Sequence, residues 1–214
     1  MYRPVLALFF SLALLLGSVN PALAQTRPHY DIQISLNYAD ASLELSQRTT
    51  FRNDTGGELP EVVFQVTPAF FQAFTLWGVW VDGVEAGSSL DGTVLEIRPA
   101  VPLAPGATAQ VDLAYRIRVP ATSGRFGQGE GILALGNFYP VLAVHQGGWD
   151  RHQYVDVGDA FFTEAADYDV SVTSDRPVAI AASSLPVRQE GNSRHFHLEG
   201  VRDFAMAVSD RFQT

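Results

Sequence analysis

Apolar and polar residues alternate almost from the start of the chain. Ile32, Ile34, Leu36 and Tyr38 share one parity, with Asp31, Gln33, Ser35 and Asn37 on the other, the two-residue period of a half-buried strand. Ala39-Asp40-Ala41 reads as a turn, after which Leu43, Leu45 and Phe51 oppose Glu44, Ser46, Arg48 and Arg52. Asn53-Asp54-Thr55-Gly56-Gly57 is dense turn chemistry, because Gly and Asn tolerate positive φ. Glu61 to Thr67 and Leu76 to Val81 predict two further strands, and Asp82-Gly83 before Val84-Glu85 predicts a hairpin tip. Thr93 to Arg98 reads as a short strand, followed by a loop through Pro99, Pro102 and Pro105-Gly106. The longest clean alternation is Val111, Leu113, Tyr115, Ile117 and Val119 against Gln110, Asp112, Arg116 and Arg118.

The last third repeats the style. Tyr168, Val170 and Val172 alternate with polar residues, Val178 to Ala182 reads as a buried run, and Phe196 and Leu198 alternate with His195, His197 and Glu199. Phe204, Met206 and Val208 close the pattern. Only Pro68 to Phe74 and Ala160 to Ala166 suit short helices, and no stretch keeps a 3.6-residue period for three turns. About nine or more strands separated by turns predict an all-β fold: a β-sandwich or a pair of packed, mostly antiparallel sheets.

Between Ala121 and Ala165 the alternation lapses. Glycines at 124, 127, 129 and 131 precede an apolar run from Ile132 to Val144 that contains Pro140; Gly147-Gly148-Trp149 and Gly158-Asp159 follow. Long irregular segments in compact domains often serve binding or lie against a neighbour. Phe138, Tyr139, Trp149, Tyr154, Phe161 and Phe162 are therefore candidates for an exposed contact patch. Irregular strands filling one end of the sandwich would explain the same residues.

The chain opens with Arg3, an apolar stretch from Val5 to Leu16 and the Ala22-Leu23-Ala24 exit, which together predict a secretory signal peptide over residues 1–24. The stretch is shorter than the ~20 residues that span a bilayer, and no later segment reads as transmembrane. Residues 25–214 then form one domain, expected to be secreted or periplasmic and free of a transmembrane segment. All fourteen bases are arginines; removing the signal leaves 13 of them against 23 acids. That negative charge disfavours a nucleic-acid partner. With no cysteine, disulfides, thiolate metal sites, a thiol nucleophile and lipoprotein anchoring are all excluded.

Candidate chemistry is sparse. His195-Phe196-His197 places two imidazoles about 6.6 Å apart on one strand face, and Glu199 continues that face. Two His and a carboxylate can bind zinc, although a solvated strip of polar residues gives the same pattern. His145 and His152 lie near Asp150 and Asp159 in the irregular region. No H-E-x-x-H, G-x-S-x-G, P-loop or strand-linked G-x-G-x-x-G occurs. Gly127-Gln128-Gly129-Glu130-Gly131 lacks a following helix and carries an acid, so it does not suit a phosphate. Asn53-Asp54-Thr55 is a formal glycosylation sequon. No catalytic constellation is visible.

From about Tyr30 to Phe212 the chain resembles the N-terminal β domain of the aminopeptidase N-like zinc metallopeptidases, the gluzincins. The resemblance rests on Leu135-Gly136-Asn137-Phe138-Tyr139-Pro140-Val141-Leu142-Ala143-Val144, Gly148-Trp149 and Gly158-Asp159-Ala160-Phe161-Phe162, in that order. Ala166-Asp167-Tyr168-Asp169-Val170-Ser171-Val172 and Arg202-Asp203-Phe204-Ala205-Met206-Ala207-Val208-Ser209-Asp210 complete it. The resemblance implies a saddle of β-sheets packed on a thermolysin-like catalytic domain that holds the zinc, and that domain would lie downstream of this segment. It transfers no catalytic or zinc residue to any position here.

Three functions follow as expectations. The first is the non-catalytic N-terminal domain, truncated or split, of a secreted zinc metallo-aminopeptidase-like protein. Such a domain would dock on a catalytic domain in cis or trans and shape access of a peptide substrate. The second is a free-standing secreted sandwich that binds peptide or glycan through its aromatic region. The third is a small metal enzyme built on His195, His197 and Glu199.

Overall fold

The computed structural model describes residues 26–158 and 162–212. The expected signal peptide, Phe161 and part of the expected 160–166 helix lie outside these residues. In chain order the first strands are β1 (His29–Asn37), β2 (Ser42–Arg52) and β3 (Val62–Gln65), followed by a single helical turn α1 (Thr67–Phe70). Next come β4 (Phe74–Val81), β5 (Val84–Glu85), β6 (Gly87–Asp91), β7 (Val94–Arg98) and β8 (Thr108–Arg118). The expected irregular region contains β9 (Phe126–Gly129), β10 (Ile132–Leu135) and β11 (Val141–Leu142). The remainder is β12 (Ala166–Ser174), β13 (Ala179–Ala182), β14 (Arg188–Glu190), β15 (Ser193–Val201) and β16 (Met206–Ser209).

These strands form three sheets. The eight-stranded sheet runs β14-β15-β12-β1-β2-β8-β4-β5, and two four-stranded sheets run β13-β16-β10-β9 and β11-β3-β7-β6. Every pairing is antiparallel except β1 with β12, which is parallel. The all-β expectation therefore holds, with three sheets where two were the simpler reading. One face of the large sheet supplies Ile32, Leu43, Val111, Tyr115, Val170 and Phe196 to a continuous core. Phe64, Leu95 and Ile97 from one small sheet and Phe126, Leu133 and Val208 from the other close on it.

Local chemistry explains the turns. Asp82 and Gly83 both take positive φ (50° and 79°) at the predicted hairpin tip, where Val81 pairs with Val84. Glu130 and Gly131 do the same (52° and 76°) between β9 and β10, so the glycine-rich stretch is a hairpin. The helix expected over Pro68 to Phe74 is one turn, because Phe74 already pairs with Ile117 in β4. Residues Phe162 to Ala165 are not helical. Val178 to Ala182 is only half-buried, since β13 is a sheet edge with β16 as its sole neighbour. β6 is exposed along its length and carries no apolar alternation that could have announced it.

Strand β2 departs from simple alternation in an informative way. Gln47 and Thr49 occupy inward positions and are buried. The Gln47 amide donates to Thr49 Oγ1 (3.0 Å) and to the Pro140 carbonyl (2.8 Å), while its carbonyl accepts from the Tyr115 hydroxyl (2.8 Å). A polar pair is tolerated at the centre of the core because every polar atom of Gln47 has a partner. Asn53 caps the end of β2 in the same manner. Its amide donates to the carbonyls of Gly57, Leu103 and Ala104, and its Oδ1 accepts from the Thr55 N–H and hydroxyl. The sequon asparagine is thus 1% exposed, and its acceptor nitrogen is occupied in the folded chain.

Candidate functional site

The five aromatic candidates among the described residues separate into core and surface. Phe138 and Tyr139 are fully buried, which removes them from the expected contact patch. The physical reason is the Gly136-Asn137 turn, where Asn137 takes φ 50° and redirects the chain after β10. Tyr139 then meets Tyr30 and Tyr168 edge-on at 6.0 Å each, and Tyr30 stacks on Tyr168 at 4.9 Å. The Tyr139 hydroxyl donates to Asp203 (2.9 Å) and accepts from the Phe204 N–H (3.0 Å). Burial raises the Asp203 carboxyl above its ordinary range, against the lowering effect of hydrogen bonds from Tyr139 and from the Phe204 and Asn137 backbone and of the Arg125 charge. Burial also pushes the Tyr168 phenol up to about 12. This tyrosine cluster ties the β10–β11 connection to β1, β12 and the turn before β16.

Trp149 is half-buried. It rests on a second small core of Val63, Val94 and Ala143, on the far face of β3 and β7, and its indole N–H donates to the Glu61 carbonyl (3.0 Å). His145 packs edge-on against it at 5.1 Å. A pocket opens beside the pair, bordered by Phe51, Leu142 and Glu164. The following residues are stitched onto the same sheet. Arg151 bridges Glu61 and Glu96, and Gln153 accepts from the Thr93 N–H (2.7 Å). Residues up to Gln153 are therefore held in place, although the described residues between β11 and β12 form no regular strand.

What remains exposed is a smaller apolar surface. Tyr154 is half-buried and packs edge-on against Phe70 at 5.1 Å, and Phe70 is itself 48% exposed. Tyr154 and Phe162 border one shallow pocket with Thr67 and His152, and Phe162 is 52% exposed. Val155 and Val157 next to them are 56% and 82% exposed. Four large apolar side chains of this stretch and of its neighbour α1 are thus open to water, with Tyr154 in contact with Phe70 and sharing a pocket with Phe162. Phe70, Val155 and Val157 were not anticipated; α1 lacked a long enough pattern to reveal its outward face.

The histidine strip lies elsewhere, on the solvent face of the large sheet. His197 Nδ1 is 2.9 Å from Asp169, His195 Nε2 is 3.5 Å from the same carboxylate, and His29 Nε2 is 3.3 Å from it. His195 Nδ1 meets Ser171 Oγ at 3.0 Å, and Glu199 lies 3.4 Å from His197 Nε2. The three imidazoles converge on Asp169 across β1, β12 and β15 instead of on an open centre. Among the described residues no three His, Asp or Glu side chains take a geometry that holds a metal ion. The strip is a polar cluster around Asp169: the hydrogen bond to Asp169, and then that to Glu199, holds His197 above its ordinary value. That contribution to stability is present while the ring is protonated and fades as pH rises through its folded-state value. Asp150 and His152 pair with each other at the surface.

Comparison with family models and with characterised proteins gives no match. Comparison with solved structures does. An M1 zinc metallopeptidase from Deinococcus radiodurans is 16% identical, with a TM-score of 0.58, over 89% of this chain and 44% of that one. A two-domain M1 zinc metallopeptidase variant bound to L-tryptophan is 14% identical, with a TM-score of 0.59, over 86% and 42%. Yeast LTA4 hydrolase in complex with bestatin is 13% identical, with a TM-score of 0.53, over 91% and 31%. The chain thus spans less than half the length of the structures it matches. It has the fold of the β-sheet N-terminal domain of M1 zinc metallopeptidases.

Proposed function

We propose that this chain is the non-catalytic N-terminal domain of a secreted zinc metallo-aminopeptidase-like protein. It docks on a catalytic domain, in cis or in trans, and shapes the approach of a peptide substrate to that domain. The observation that carries this reading is the fold match, which spans nearly all of this chain and less than half of each metallopeptidase. Two features support it. The zinc chemistry of such a protein needs a ligand set that the described residues here do not present. The exposed apolar surface at Phe70, Val155, Val157 and Phe162 also suits a neighbouring domain, since interfaces between domains commonly bury about 600–1,500 Å².

The reading makes the isolated chain catalytically silent. Incubated with alanyl- and leucyl-p-nitroanilide, with and without added zinc, the purified protein should release no p-nitroaniline above buffer. Turnover abolished by a chelator would overturn the proposal and favour a metal centre on His195, His197 and Glu199. The alternative of a free-standing module binding through the 138–162 aromatics loses two of its anchors to the core, Phe138 and Tyr139.

A further inference from the structure

The solvent face of the eight-stranded sheet carries a second feature. By strand register, Trp80, Asp112, Arg48 and Asp31 stand in one row across β4, β8, β2 and β1. The adjacent outward row is Gly78, Ala114, Ser46 and Gln33, all but the last of them small. Ala114, Ser46 and Gln33 of this row line a groove of about 300 Å³ together with Trp80, Asp112, Arg48 and Asp31, while the Gly78 end lies outside it. Four strands at ~4.8 Å spacing make it about 14 Å long, enough for a short run of sugar rings.

Trp80 is held as a platform. Three of its ring carbons lie within clashing distance of where a Cβ would project from Gly78, so the indole lies across that glycine and only glycine admits it there. Trp80 is still 36% exposed, and Trp77, at the register shift between Leu76 and Gly78 on the same strand, is 54% exposed. The planar polar groups along the groove are fixed by one another. Arg48 Nε donates to Asp112 (2.8 Å), Gln110 donates to the other Asp112 oxygen (2.8 Å), and Gln33 donates to Asp31 (2.7 Å).

We propose that this groove binds a neutral, hydroxyl-rich glycan chain, stacked on Trp80 and gripped by Asp112, Arg48 and Gln33. An indole face matches the C–H face of a pyranose ring, and pre-positioned carboxylate, guanidinium and amide groups match pairs of ring hydroxyls. Two carboxylates against one guanidinium along the groove disfavour an anionic polymer. The proposal does not depend on the docking reading.

Affinity electrophoresis of the full chain through gels containing hydroxyethylcellulose, barley β-glucan, glucomannan, arabinoxylan or dextran tests it, with polygalacturonate as the anionic comparison. At least one neutral polymer should retard the protein. Trp80→Ala and Asp112→Asn should each weaken that retardation about tenfold or more, equivalent to ~1.4 kcal/mol. Gly78→Ala, which displaces the indole without removing it, should do the same, with unchanged circular dichroism in all three. The proposal is overturned if no neutral polymer retards the chain, if only polygalacturonate does, or if Trp80→Ala binds as the wild type does.

Discussion

Tyr139→Ala is expected to lower the unfolding free energy by about 3–5 kcal/mol, the cost of truncating a large buried aromatic. The ring sits against Tyr30, Tyr168 and Phe138 with no solvent contact, so the cavity cannot be filled by water or by a small shift of a mobile neighbour. Tyr139→Phe separates ring from hydroxyl. It keeps the packing but removes one donor to Asp203 and the hydroxyl acceptor of the Phe204 N–H, for a smaller loss of about 1–3 kcal/mol. Urea denaturation of the two variants reads both values. If Tyr139 belonged to an exposed contact patch, as its place in the irregular stretch suggested, neither change would lower the unfolding free energy by more than about 0.5 kcal/mol.

Asn53→Asp is expected to be comparably damaging despite being nearly isosteric. The substitution replaces a donor to three carbonyls, those of Gly57, Leu103 and Ala104, with a carboxylate oxygen facing the same groups. A buried charge without a partner costs about 3–5 kcal/mol at neutral pH. Because burial favours the protonated acid, the variant should recover part of that loss as pH falls, which thermal melts at pH 7 and pH 4.5 would show. An equal deficit at both values would mean that the turn opens and hydrates the new side chain. The same geometry bears on the sequon, since a glycan on Nδ2 would leave that nitrogen a single hydrogen for the three carbonyls and would have to fit where the side chain is buried.

The strand framework was largely readable from the chain. β1, β8 and β12 each bury one parity and expose the other, and the Asp82-Gly83 tip has the backbone that its residues prefer. What escaped were features set by long-range partners. The parity of β2 turns Gln47 inward, but the partners that make its burial tolerable, Tyr115 and Pro140, both lie far along the chain. β6 has no apolar face because it closes a sheet edge, and only its pairing with β7 makes it a strand. The irregular stretch hid two opposite fates, core for Phe138 and Tyr139 and surface for Phe162. Local composition cannot distinguish them, because burial there depends on the turn at Asn137. The histidine spacing on β15 was correct, but Asp169 and His29, which decide how those rings are used, arrive from neighbouring strands.

The docking of this domain on a zinc-bearing partner is tested most directly by site-specific photo-crosslinking in the native host. Benzoylphenylalanine is placed at Val157 or Phe162, and at Leu185, which is 87% exposed and far from the patch in sequence, as a control. After irradiation, mass spectrometry of the Val157 and Phe162 adducts should identify a polypeptide segment carrying H-E-x-x-H, on the same chain or another, and Leu185 should give no such adduct. The account is contradicted if neither patch position reaches a segment of that kind, or if Leu185 captures it equally well.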